Sequence, residues 1–180
     1  YCLAIAVNSG LVFTSDSRTN AGVDNISTHS KMHTFGQAGE RQFVLLSAGN
    51  LATTQAVVGQ IKTDIRNCGG TNLLTVSGIP EAADYIGQVS LAAQEKFGTE
   101  RSKFEASFII GGQVRDERPK VRLIYPEGNH ISCSQDTPYL QIGESKYGKP
   151  ILDRILTKSS SLDTAASCSL VSMDSTMRSN

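Results

Sequence analysis

The 180 residues carry seventeen basic and seventeen acidic side chains, for a net charge of zero; 39% are hydrophobic and 19% charged, the balance of an ordinary globular chain. Neutrality without a basic stripe argues against nucleic acid as a partner. No apolar run approaches the roughly 20 residues of a membrane helix, and with no secretory pattern at the start the expected compartment is the cytoplasm.

Tyr1, Leu3, Ile5 and Val7 alternate with Cys2, Ala4 and Ala6, which predicts a strand with one bulky and one small face. Asn8-Ser9-Gly10 supplies turn chemistry, and Leu11-Val12-Phe13 resumes the strand. Pairing Val7 with Leu11 sets Cys2 opposite Asp16 and Tyr1 opposite Ser17, so the chain start is expected beside Asp16-Ser17-Arg18. A connection over 20–25 leads to a strand expected to end near Lys31-Met32-His33. A strand at 42–47 turns through Ala48-Gly49-Asn50 into a helix with Leu51, Val58, Ile61 and Ile65 on one face. Asn67-Cys68-Gly69-Gly70 is expected to stop it. A second helix is predicted from about Pro80, with Ala82, Ile86, Val89, Ala93 and Phe97 at helical spacing. Strands follow at 106–110, 121–125, 130–133 and 139–142, then helices over 146–156 and from an N-cap at Ser161 onward through Ala165, Cys168 and Val171. Clustered runs of strands and helices predict α+β layers rather than a parallel sheet. Without repeats or linkers, the expectation is one domain over 1–180.

Four constellations could carry chemistry. Asp16 and Arg18 end one strand, and Lys31 lies on the next. Such a pair is by default a structural ion pair, yet a carboxylate that positions a partly buried lysine also makes a proton partner for a hydroxyl. Ser47-Ala48-Gly49-Asn50 joins a strand to a helix, where a backbone N–H could face a developing oxyanion. Ile142-Gly143-Glu144-Ser145-Lys146-Tyr147-Gly148 is neither a GxSxG elbow nor a phosphate loop, and by itself reads as a helix start with Ser145 as cap. The run around Asp174, from Val171 to the end, is a polar helix terminus. Metals are a poor expectation. His29 and His33 on one strand would stand roughly 13 Å apart, and Cys2, Cys68, Cys133 and Cys168 form no CxxC pair, reading instead as inert thiols. No cofactor is expected.

Taken in order, the stretches 10–22, Ser30-Lys31-Met32, Ser47-Ala48-Gly49-Asn50, 142–150 and 174–180 resemble the proteasome-type peptidases, and within them the bacterial Anbu (ancestral β-subunit) group. The resemblance implies an N-terminal-nucleophile (Ntn) hydrolase fold, a four-layer αββα sandwich with two antiparallel sheets. It also implies a nucleophilic N-terminal threonine whose own α-amine is the general base. That threonine would directly precede Tyr1; the sequence given lacks it and is expected to lack the last strands as well. By the same resemblance Asp16 and Lys31 surround the nucleophile, with Lys31 lowering the hydroxyl pKa. Arg18 supports them, Gly49 lines the oxyanion hole, and Asp174 is the acid ending the fourth helix. Where proteasome subunits carry the serine of a Gly-Ser-Gly turn, this chain has Glu144 followed by Ser145. The resemblance further implies homo-oligomers, as rings or spirals of identical subunits.

Three functions follow as expectations. The first is a threonine peptidase acting on peptide bonds. The second, motivated by Glu144, is an Ntn amidohydrolase on a small amide or isopeptide. The third is a self-assembling scaffold without catalysis.

Overall fold

The computed structural model describes residues 1–20, 26–97 and 104–179. Six strands come first: β1 (Cys2–Val7), β2 (Gly10–Ser15), β3 (Arg18–Asn20), β4 (Ile26–Thr28), β5 (Met32–Gln37) and β6 (Arg41–Gly49). Helices α1 (Leu51–Asn67) and α2 (Ile79–Phe97) follow. Then come β7 (Ala106–Val114), β8 (Lys120–Ile124), β9 (His130–Ile131) and β10 (Tyr139–Ile142), and finally α3 (Lys149–Ile155) and α4 (Leu162–Ser179). Two antiparallel sheets, β10-β1-β2 and β5-β6-β7-β8-β9, stack face to face, while β3 and β4 form a separate ribbon.

The alternation in β1 accounts for the layering. Its large residues Tyr1, Leu3, Ile5 and Val7 face α3 and α4, packing with Leu152, Ala165, Cys168 and Met173. Its small residues Cys2, Ala4 and Ala6 face the other sheet, meeting Leu46, Ile109 and Leu123. Burying each large apolar side chain contributes about 1.5–3 kcal/mol, and the small face lets the two sheets approach. Gly111 shows how closely. A Cβ there would lie 2.6 Å from the Phe13 ring of the opposite sheet. On the far side Phe43, Leu45, Phe108 and Ile110 pack under α1 and α2. The order is helix, sheet, sheet, helix, the α+β Ntn-type sandwich.

Four boundaries differ from the sequence expectations. The β1–β2 register is one residue tighter, with Val7 opposite Gly10 and Cys2 opposite Ser15. Gly10, at φ +151°, enters the ladder itself, so Asn8-Ser9 alone forms the turn. Tyr1 therefore stands against Asp16, whose N–H donates to the Tyr1 carbonyl at 3.1 Å. The strand expected to end near residue 33 instead breaks: β4 pairs with β3, and β5 starts at Met32. There the Ser30 hydroxyl donates to the Met32 carbonyl at 2.8 Å. Most of the predicted 20–25 connection lies outside the described residues. At the end of α1, Cys68 at φ 52°, not a glycine, takes the left-handed position. Finally, α3 begins at Lys149 behind Gly148, with Pro150 in its first turn, and Ser145 does not cap it. Ser161 does cap α4, accepting the Thr164 N–H at 3.1 Å.

Candidate functional site

The start of β1 lies between the two sheets' ends, and a cleft of about 290 Å³ opens beside it, lined by Tyr1, Asp16, Arg18, Lys31, Gly49 and Glu144 among others. Asp16 is the hub. Its Oδ1 accepts from Lys31 Nζ at 2.7 Å and from the Arg18 backbone N–H at 2.8 Å. Its Oδ2 accepts from the Tyr1 nitrogen at 2.5 Å. The Asp16 side chain is 9% exposed and that of Lys31 19%. Burial alone would push the Asp16 carboxyl up, but the Lys31 ammonium and the Tyr1 nitrogen outweigh it and hold the group below the usual carboxylate range. Lys31 is delivered to this point by the sheet. Its carbonyl accepts the Ser47 N–H at 2.9 Å, extending the β5–β6 ladder by one rung.

Gly49 forms the opposite wall. Its φ is +111°, and a Cβ would stand 2.5 Å from the Glu105 carbonyl oxygen, so no side chain fits. Directly after it Asn50 caps α1, accepting the Thr53 N–H at 3.1 Å, which turns the strand end into a helix entrance beside the cleft. Glu144 reaches the rim, where its carboxylate also accepts the Lys146 N–H at 2.8 Å.

Five of the seven residues singled out from sequence thus gather in one cleft. Two do not. Ser145 follows Glu144 in the loop but does not line the cleft; its carbonyl accepts the Lys149 N–H at 3.0 Å. Asp174 is 62% exposed and pairs with Arg178 one turn on, at 2.8 Å. Helical phase explains this displacement: Ser169, Ser172 and Thr176 face inward on α4, which turns position 174 out to solvent.

Sequence reading missed Tyr1 itself. Its ring is buried, and its hydroxyl sits 2.6 Å from both Ser172 Oγ on α4 and Gln141 Nε2 on β10. The only sequence signal was a bulky aromatic heading a strand. Cys2, next along, is pushed up to about 11 by burial and donates to the Ser47 carbonyl at 3.4 Å, so it is an inert thiol.

A second cavity, about 320 Å³, shares Ser30, Ser47, Leu51 and Thr54 with the first and adds His33 and Lys62. Among the described residues no carboxylate lines it. Burial, then the Lys62 charge, lowers the His33 pKa, which favours the neutral ring. His29 lines both cavities. Among the described residues no three His, Cys, Asp or Glu side chains gather as a metal site, and no helix is long and apolar enough to cross a membrane.

Stacked antiparallel sheets between helix layers, with a buried aspartate–lysine pair at the start of the first strand, define a proteasome-related Ntn-type protein. No protein-family model and no curated protein matches the chain. Solved structures do. Anbu (ancestral β-subunit) from Yersinia bercovieri is 49% identical over 99% of this chain and 76% of its own, at a TM-score of 0.95. A structure of the helical assembly of the Anbu complex from Pseudomonas aeruginosa is 46% identical over 99% of this chain and 75% of its own, at 0.94. Anbu from Hyphomicrobium sp. strain MC1 gives 46% identity over 99% and 76%, at 0.90. The chain belongs to the Anbu family.

Proposed function

We propose that this single domain is a threonine-type N-terminal-nucleophile amide hydrolase, a peptidase that works as a homo-oligomer of identical subunits in the cytoplasm. The observation that carries the reading is the convergence of Asp16, Lys31 and the Tyr1 nitrogen in one buried cleft faced by Gly49. A threonine joined to that nitrogen lies at the cleft, within reach of the Lys31 ammonium.

The chemistry follows from those positions. The threonine Oγ attacks the substrate carbonyl carbon while its proton passes to the chain's α-amine, whose ordinary pKa near 8 suits neutral pH. Lys31 stabilises the developing alkoxide, and Asp16 stays ionised to hold the ammonium in place. The Gly49 N–H donates to the oxyanion. As the tetrahedral species collapses, the C–N bond breaks and the α-ammonium returns its proton to the leaving amine. Water then cleaves the ester, with the α-amine again as base. Arg18 supports Asp16 through its backbone N–H, and Glu144 lines the same cleft. Ser145 and Asp174 have no part in these steps. The second cavity, lined by Lys62 and, among the described residues, by no carboxylate, suits an acidic or polar substrate side chain next to the scissile bond better than a basic one. The Pseudomonas structure's helical assembly supports a homo-oligomer for this chain too.

The test is a threonine-reactive electrophile, such as a β-lactone, applied to protein whose mature chain begins with threonine directly ahead of Tyr1. Intact mass and peptide mapping are expected to show one adduct, on that threonine. Absence of labelling on correctly processed, assembled protein would overturn the assignment and favour the scaffold reading. Turnover of peptides against small acyl-amides on the same preparation separates the peptidase from the amidohydrolase that Glu144 suggests.

A further inference from the structure

The reaction proposed above uses only Glu144 from the loop 143–148, and its glycines have no role in it. Its two glycines both abut Tyr1. A Cβ on Gly143, at φ +83°, would lie 3.2 Å from the Tyr1 nitrogen and 3.3 Å from its Cα. One on Gly148 would lie 2.6 Å from the Tyr1 hydroxyl and 2.4 Å from Ser172 Oγ. The loop is therefore a slot fitted to Tyr1 at both its backbone and its phenol end. At the far end of the slot the hydroxyl accepts from Gln141 Nε2 and shares a hydrogen bond with Ser172 Oγ, in which either hydroxyl can donate. Burial raises the phenol pKa, so the proton stays on the ring oxygen. The loop is itself tied to α4 through the Ser175 hydroxyl and the Tyr147 carbonyl at 3.4 Å.

A core aromatic needs only apolar neighbours. Tyr1 instead is held at four points: its nitrogen and carbonyl by Asp16, its hydroxyl by Gln141 and by Ser172. We propose that Tyr1 is a positioning residue for the Ntn reaction. Its hydroxyl, clamped by Ser172 and Gln141 in the Gly143–Gly148 slot, sets the direction in which the residue ahead of it projects and so holds the nucleophile over Lys31. This rests on the hydrolase reading, because the preceding residue is the one whose direction matters. A displacement of about 1 Å at a reacting group is enough to cost on the order of 100-fold in rate.

Two readouts test it on the assembled protein beginning with threonine ahead of Tyr1. Tyr1→Phe keeps the ring and removes the clamp. It is expected to slow electrophile labelling and kcat at least tenfold with KM within twofold, and to lower hydrogen-exchange protection of the Tyr1 amide, which there donates to Asp16. Ser172→Ala with Gln141→Leu leaves the phenol in place without its partners and should reproduce both effects, which keeps the question open to measurement if Tyr1→Phe fails to fold. A Tyr1→Phe protein that labels and turns over like its parent would overturn the positioning role, as would a rise in KM with kcat unchanged. If the parent itself does not label, the hydrolase reading fails separately. Exchange at the Tyr1 amide then decides the clamp, and protection equal to the parent's in both variants refutes it.

Discussion

Two aspartate–cation pairs, one at each end of the chain, look equivalent in the sequence and are opposite in the structure. Asp16 is nearly buried and shared among Lys31, the Arg18 backbone and the Tyr1 nitrogen, in a cleft between the two sheets' ends. Asp174 lies open to water on α4, paired with Arg178 one turn along the same helix. The first pair joins three separate stretches of chain; the second joins neighbours that any helix brings together. What marks a site is convergence from distant positions under partial burial, where water no longer screens the charges, rather than pairing itself.

The comparison is broken most directly at Lys31. Lys31→Ala is expected to reduce electrophile labelling of a threonine ahead of Tyr1 at least about 100-fold, the scale of losing a positioned proton partner. Labelling at the parent rate would reduce Asp16–Lys31 to a structural pair. Asp16→Asn comes next, and is read in stability. The Asp16 carboxyl is held below its unfolded value near 3.9, so its contribution is present above about pH 4 and is lost as pH falls through the lower folded pKa. Urea midpoints measured between pH 3 and 7 should decline on the acid side in the parent and decline less in Asp16→Asn. At pH 7 the variant should lose about 2–3 kcal/mol, since a charged hydrogen-bond hub is removed. A flat parent profile would contradict the buried hub.

Gly49→Ala sharpens the picture of the opposite wall. The left-handed backbone and the close Glu105 carbonyl make it cost about 1–3 kcal/mol, with labelling impaired as the wall shifts; unchanged melting and labelling would mean the wall is softer than its geometry. The smallest effect belongs to the other pair. Asp174→Ala should leave both the urea midpoint and labelling unchanged, and a loss of labelling would restore Asp174 to the site.

Much of the first sheet was legible because β1 alternates bulky and small apolar residues; clustered strands and helices gave α+β layers, and the αββα order came from the family resemblance. The hairpin was legible as well, but its register was not. Whether Gly10 belongs to turn or ladder depends on one backbone angle that glycine leaves free. The break before β5 was hidden for a related reason. Thr34 and Gln37 are polar and exposed, so the strand that carries them gives little hydrophobic signal. Of the residues singled out from the sequence and its resemblance, Asp16, Arg18, Lys31, Gly49 and Glu144 line one cleft, whereas Asp174 lies outside it because helical phase, which decides the way it faces, is not set by its neighbours in sequence.

The amino-acid order by itself determined the layered fold, the strand that opens it and the closeness of that strand's start to Asp16, since these follow from short-range periodicity and a tight turn. Only the tertiary structure decided which glycines matter and why. Gly143 and Gly148 are identified by what stands against them, namely the Tyr1 backbone and its hydroxyl, reached from residues about 140 positions away. Contacts at that separation are set by how whole layers pack, which no local pattern records.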